Sequence, residues 1–263
     1  YSTIDEMLLE NGVTNWINGR ENANQVDLNR NFPDLDKYEY KYLEHKKRKF
    51  DHLVKEASQE INLRQLDCQK KPFQAETLAV ANWIASIPFV LSANFHGGDL
   101  VANYPYDDTA NHSSFYAASP DDNTFATLAL FYAELHKEMA SESRPKCDMV
   151  SDSFHKGITN GAKWYPVCGG MQDYNYLASN CFELTIELGC KKFPPGKELQ
   201  KFWSDNYKAV YEYIWKAHLG IKGIVYDSDG EPVTSAKIAV EIKNPQTNAY
   251  ERINHDILTS KLY

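Results

Sequence analysis

Between Ala75 and Ser86 apolar residues recur at helical spacing and stop short of Pro88. The run PFVLSANF that follows is apolar without alternation. The first pattern predicts a buried helix and the second a strand covered on both faces, together pointing to an α/β sheet. A second helix is predicted over 121–141, where Phe125, Leu128, Phe131, Leu135 and Met139 line one face and Asp121 or Asp122 is the candidate cap. At CFELTIEL, 181–188, the period changes to two. Phe182, Leu184, Ile186 and Leu188 fall on one side, Glu183, Thr185 and Glu187 on the other. A strand whose carboxylates share a face can wall a site. Residues 198–219 return to helical spacing through Phe202, Trp203, Val210, Ile214 and Trp215, with Gly220 as the stop.

After Gly220 the pattern turns to period two again. IKGIVYDSDGEPVTSAKIAVEIKN reads as a strand, a turn at Asp229-Gly230 and a second alternating strand, the opening of a small β-sandwich. We place a domain boundary there, giving 1–219 and 220–263. The second part holds too few residues for a sandwich of about seven strands. Residues 1–35 are dense in Asn and turn residues, and 36–72 are charged, helical in pattern and free of Gly and Pro until Pro72, as a surface insertion would be.

The composition is that of an ordinary soluble protein: 263 residues, 43% hydrophobic, enough for one large domain or one and a half. The stretch Leu78–Phe95 is the most apolar, but Asn82, Ser86, Pro88 and Asn94 interrupt it, so no membrane span is predicted. A net charge of −8 and one short basic run, Lys46-Lys47-Arg48-Lys49, argue against a nucleic-acid partner. That run reads as a solvated helix face. Five cysteines, none in CxxC spacing, leave at least one unpaired, and the sequon Asn111-His112-Ser113 fits a secreted protein.

His96 sits where the apolar strand ends, which in an open α/β sheet is where ligands bind. Followed by Gly97 and Gly98, it reads as a metal ligand, as a general base, or as a strand-end histidine held by a hydrogen bond. Arg20, Asn29 and Arg30 put two guanidinium groups and an amide in one loop, a set that grips a carboxylate. Glu187 is a candidate general base. Tyr165, in the Gly-rich KWYPVCGGMQDYNY, can close over a site.

The ordered series GRENANQVDLNRNFPD, HGGDLVANYPYDD, WYPVCGGMQDYNY, CFELTIEL and KFPP resembles metallocarboxypeptidases of the carboxypeptidase N/E-like group over nearly the whole chain. The resemblance implies a mixed sheet flanked by helices, followed by a transthyretin-like β-sandwich. It implies a zinc enzyme that releases C-terminal Lys or Arg from peptides, among them prohormone intermediates, in the secretory pathway or outside the cell. His96 matches a zinc ligand, Glu187 the catalytic glutamate, and Asn29 with Arg30 the pair that binds the terminal carboxylate. Arg20 matches the residue that polarises the scissile carbonyl. Tyr165, 22 residues before Glu187, matches the tyrosine that folds over substrate. Asp107 matches the acidic residue selecting Lys or Arg, with Gln172 lining the same pocket. Glu183 lies four residues, about 13 Å, from Glu187 along the strand, so it reads as structural. The resemblance also implies a Cys147–Cys190 disulfide, with Cys181 a buried thiol.

One part of the pattern is missing. The group's HxxE motif, which supplies two zinc ligands, does not occur, and His52 and Glu56 are spaced HxxxE. A catalytic zinc takes three protein ligands. The chain is therefore expected to be a portion of a longer enzyme, with Zn2+ held by one ligand here. The competing expectation is a non-catalytic binding or sorting module.

Overall fold

A computed structural model describes residues 19–36, 71–144, 146–147, 154–220, 224–233, 236–252 and 257–258. The insertion at 37–70, with its basic run, the His52/Glu56 pair and Cys68, lies outside the described residues. The chain divides into two units, 1–217 and 218–263.

The first unit is a mixed α/β layer. Its strands are β1 (Leu91–His96), β2 (Asp99–Tyr104), β3 (Ile158–Asn160) and β4 (Phe182–Gly189), in the order β1-β4-β2-β3. β4 runs parallel to β1 and antiparallel to β2, and β2 runs parallel to β3. Only Gly97 and Gly98 separate β1 from β2, yet β4 lies between them. Gly98 has φ +127° and its N–H donates to Gly189 O at 2.8 Å, so a residue free of a Cβ turns the chain away from β4 and back along its other side.

Helices α1 (Ala75–Ser86), α2 (Asp122–Leu135), α3 (Gly161–Trp164), α4 (Met171–Ser179) and α5 (Leu199–Trp215) accompany the sheet. Phe125 of α2 stacks on Phe182 of β4 with ring centroids 4.7 Å apart and meets Tyr176 of α4 edge-on at 4.9 Å, joining two helices to the sheet in one aromatic cluster. Leu184 and Ile186 of β4 point into this core, as the alternation requires.

Several expectations are corrected. α1 buries only Thr77 and Ile84 and exposes Trp83, and β1 is an edge strand among the described residues, with Phe95 47% exposed. Apolar character alone marked these segments as wholly buried, whereas no described element covers their outer side. α2 ends at Leu135 rather than 141, because His136 Nδ1 accepts the N–H groups of Glu138 and Met139 at 3.1 and 3.0 Å. A side chain that captures backbone donors competes with the next helical turn. Met139 still enters the core, from beyond the helix. α5 buries Asp205, Asn206, Ala209 and Tyr213, and exposes Trp203, Ile214 and Trp215 of the face read as apolar. Asn206 accepts the Tyr132 hydroxyl at 2.9 Å, and Asp205 pairs with Lys201 and Lys137, so partnered polar groups face inward.

In the second unit the turn at Asp229-Gly230 is present, with Gly230 at φ +84°. The alternating strand beyond it is split. Lys237–Ile238 pairs with Ile257–Leu258 and Glu241–Lys243 with Tyr250–Arg252, each pair antiparallel. No helix of the described residues is long and apolar enough to cross a membrane.

Candidate active site

Register brings the first two candidates together. His96 ends β1 directly beside Glu187 on β4, and His96 Nδ1 lies 4.0 Å from Glu187 Oε1. Burial, then the positive charges of Lys192, Arg20 and Arg30, lowers the imidazole to about 4, so His96 is neutral at physiological pH and keeps a lone pair for a ligand. Burial pushes Glu187 up to about 7 against the opposing pull of Lys192. Its Oε2 has no hydrogen-bond partner. A carboxyl poised near neutrality with an open oxygen can take up and return a proton.

The Asn-rich loop supplies the next group. Asp27 caps the 3₁₀ turn Leu28–Arg30 by accepting the Asn29 N–H at 3.0 Å, and through Oδ2 it accepts Arg20 Nε and Nη2 at 3.0 and 2.7 Å. One aspartate thus orders the loop and fixes Arg20. Asn29 Nδ2 lies 3.4 Å from His96 Nε2, and Asn29 Oδ1 accepts the Met171 N–H at 2.8 Å. Arg30 donates to Asn29 O at 2.7 Å. Arg20, Asp27, Asn29 and His96 line a cleft of about 460 Å3, with Lys192 and Phe193 from the KKFPP segment on its wall. Arg30, Glu187, Tyr165, Asp107 and Gln172 lie outside that lining. Tyr165, 42% exposed, connects the two sets. Its hydroxyl is raised by burial and by the Glu187 carboxylate, and the charges of Arg30, Asp107 and Arg20 also reach it.

Asp107 lies at the centre of a separate, buried polar cluster. Asn160 builds the surroundings: it accepts the N–H groups of Ala117 and Lys163, and donates to Pro105 O and Ala117 O at 3.0 and 2.9 Å. This staples the 105–117 loop onto the start of α3. Asp107 Oδ1 accepts Asn103 Nδ2 at 3.0 Å and Gln172 Nε2 at 2.8 Å. Burial pushes its carboxyl up to about 7, opposed by those hydrogen bonds and by Arg30. The amide oxygens of the same neighbours, Asn103 Oδ1 and Gln172 Oε1, are buried with no partner. Two orphan acceptors around a carboxylate leave a demand for donors. Gly161 makes room there, since a Cβ on it would lie 1.8 Å from Asp107 Oδ1.

Glu183 belongs to another network. It is fully buried, accepts the Ser92 hydroxyl at 2.7 Å and the Asn175 amide, and burial raises it to about 7. Cys181, beside Ser92, is a free buried thiol pushed up to about 11 by burial. Cys147 and Cys190 form a disulfide, and Cys168 is also disulfide-bonded.

Sequence reasoning missed Asp27, Lys192 and Asn103. Asp27 could have been found as an acidic residue two positions before Asn29, the spacing of an Asx turn. Lys192 and Asn103 lie within the quoted motifs, but their spacing does not single them out.

A catalytic zinc needs three protein donors and an open position. Among the described residues no group of three potential donors includes His96. The one set that converges is Asp108, His112 and Cys168, and the Cys168 sulfur is committed to a disulfide. The described residues therefore bring fewer than three donors together at His96 and do not fit a complete zinc site.

Residues 7–209 match the family described as zinc carboxypeptidase. The chain is 47% identical to carboxypeptidase E of Caenorhabditis elegans over 262 residues, covering 94% of this chain and 53% of that protein. It is 44% identical to carboxypeptidase D of Rattus norvegicus over 232 residues, covering 87% of this chain and 15% of that one. Against carboxypeptidase Z of Mus musculus the identity is 40% over 253 residues, covering 95% and 35%. The chain thus spans about half or less of the length of each of these relatives. With most of its length matched by the family and by three relatives, this chain belongs to the zinc carboxypeptidases.

Proposed function

We propose that this chain carries the substrate-recognition part of a metallocarboxypeptidase that releases C-terminal Lys or Arg from peptides. The observation that supports the specificity is the Asp107 cluster: a buried carboxyl group flanked by the unpartnered oxygens of Asn103 and Gln172. A guanidinium or ammonium group brings several donors and a positive charge, and satisfies all three acceptors. A neutral apolar side chain would leave them buried and unpaired, which costs about 1–3 kcal/mol per group.

In this reading Asn29 and Arg30 bind the terminal carboxylate and Arg20, held by Asp27, polarises the scissile carbonyl. Glu187 takes the proton of the attacking water and passes it to the leaving amine. Tyr165, at the mouth between the two sets, closes over the bound residue. His96 is the zinc ligand that this chain contributes. The natural substrates are peptide intermediates such as prohormones in the secretory pathway, and the Cys147–Cys190 disulfide fits that oxidising compartment. Residues 220–263 belong to a transthyretin-like domain.

A second reading, a non-catalytic binding or sorting module, is favoured by the incomplete zinc site among the described residues. The two are separated by incubating the purified 263-residue chain with Zn2+ and peptides ending in Arg or Leu. We expect preferential binding of the Arg peptide, substoichiometric zinc and negligible release of arginine. Equal binding of both peptides would overturn the specificity, and stoichiometric zinc with cleavage would overturn the assignment of weak metal binding to this chain.

A further inference from the structure

The first two buried polar residues of α4 hold the same aspartate from opposite ends. Gln172 Nε2 donates to the Asp107 carboxylate at 2.8 Å, while its neighbour Asp173 accepts the Asp107 backbone N–H through Oδ2 at 2.7 Å. The Asp107 carbonyl accepts the Val167 N–H at 2.7 Å, so the backbone of the residue is held on both sides. Asp36 stands beside Asp173, within reach of a hydrogen bond between the two carboxyl groups. Both are almost wholly buried.

A hydrogen bond between two carboxyl groups requires a proton between them, because ionised carboxylates only accept. The surroundings favour keeping it. Burial raises both groups, Asp34 acts further on Asp36, and Asp36 and Asp107 act further on Asp173. The other charged groups bearing on the cluster are Asp108, which reaches Asp36 and contacts His112, and Arg30, which reaches Asp107.

Resting on the reading of Asp107 as the residue that selects a basic side chain, we propose that Asp173 and Asp36 are positioning residues for it. A proton shared by the pair removes one negative charge from the cluster, and the remaining charge on Asp173 anchors the Asp107 amide. Asp107 is thereby held at the centre of its cluster, beside the open oxygens of Asn103 and Gln172. The pair touches neither peptide nor metal and acts through Asp107 alone.

The test is equilibrium binding of the full chain at neutral pH to one short peptide ending in Arg and to the same peptide ending in Leu. Asp173→Asn, which keeps an acceptor for the Asp107 N–H but removes its charge, is expected to weaken the Arg peptide about fivefold to tenfold, the difference between a charged and a neutral hydrogen bond, with the Leu peptide within about twofold of the parent. Asp36→Ala is expected to act in the same direction, and Asp36→Asn, which retains a donor for Asp173, to restore most of the affinity. Thermal unfolding shows which variants fold, and if Asp173→Asn does not, the two Asp36 variants decide. Parental selectivity in both Asp173→Asn and Asp36→Ala overturns the inference, as does equal weakening of both peptides, which marks general packing. A parent chain that does not distinguish the peptides overturns instead the reading of Asp107, and this inference with it.

Discussion

Gly161→Ala tests how tightly the cluster around Asp107 is built. The new Cβ would lie 1.8 Å from Asp107 Oδ1, 2.8 Å from its Cγ and 2.9 Å from Asn103 Oδ1. An ordinary carbon–oxygen contact is about 3.3–3.6 Å, so the carboxylate must retreat by roughly 1.5 Å. The backbone at Gly161 is not in the left-handed region, so alanine meets no φ penalty there, and as a helix former it gains up to about 1 kcal/mol. The steric effect opposes that gain and wins. A retreat of this size breaks the hydrogen bonds from Asn103 and Gln172, each about 1.5–3 kcal/mol for a charged acceptor, leaving a net loss of about 3 kcal/mol. For a unit of this size that corresponds to a melting temperature lower by roughly 6–12 °C. Circular dichroism melts give the stability and peptide titration the affinity, which should fall at least about tenfold for an Arg-ended peptide as two charged hydrogen bonds are lost. Gly196→Ala, where the Cβ would meet nothing within 4 Å, is the control. A Gly161→Ala chain with parental melting and binding would refute the reasoning.

The remaining predictions concern the buried acid and the disulfide. Glu183 holds its proton more tightly folded, about 7, than at its ordinary value near 4.5, so its contribution to stability is full below about 4.5 and lost as pH rises through about 7. That loss is about 3 kcal/mol, and Glu183→Gln should flatten this part of the pH dependence in urea titrations at pH 5 and pH 8. An unchanged slope would refute it. Replacing Cys147 and Cys190 by serine opens a loop with a sequence separation of 43 residues, which should cost about 4 kcal/mol. A melting temperature equal to the parent's would refute that estimate.

The elements were legible where period and punctuation agreed. β4 follows its alternation throughout, and His96 and Glu187 meet because a strand end and a strand carboxylate share a register position. The separation of Glu183 from Glu187 was also legible, since strand spacing alone keeps them apart. The sidedness of helices was not. α5 carries aromatic residues around most of its circumference, and which of them face inward depends on partners such as Tyr132 that lie far away in sequence. The end of α2 depended on His136 capturing two amides, a local event without a periodic signature. In the candidate site, Asp27, Asn103 and Asp173 stand inside the quoted motifs, but nothing in their spacing marks them, because their contacts with Arg20, Asn29 and Asp107 are made mostly by the fold.

The central claim is that one buried carboxylate chooses the terminal side chain. Asp107→Asn keeps the shape of the residue and removes its charge, and the decisive quantity is the ratio of dissociation constants for Leu-ended and Arg-ended peptides in parent and variant. The account predicts that the parent favours Arg by at least about tenfold, the worth of one charged hydrogen bond, and that the ratio in Asp107→Asn falls to near one. A variant that keeps the parental preference for Arg would contradict it.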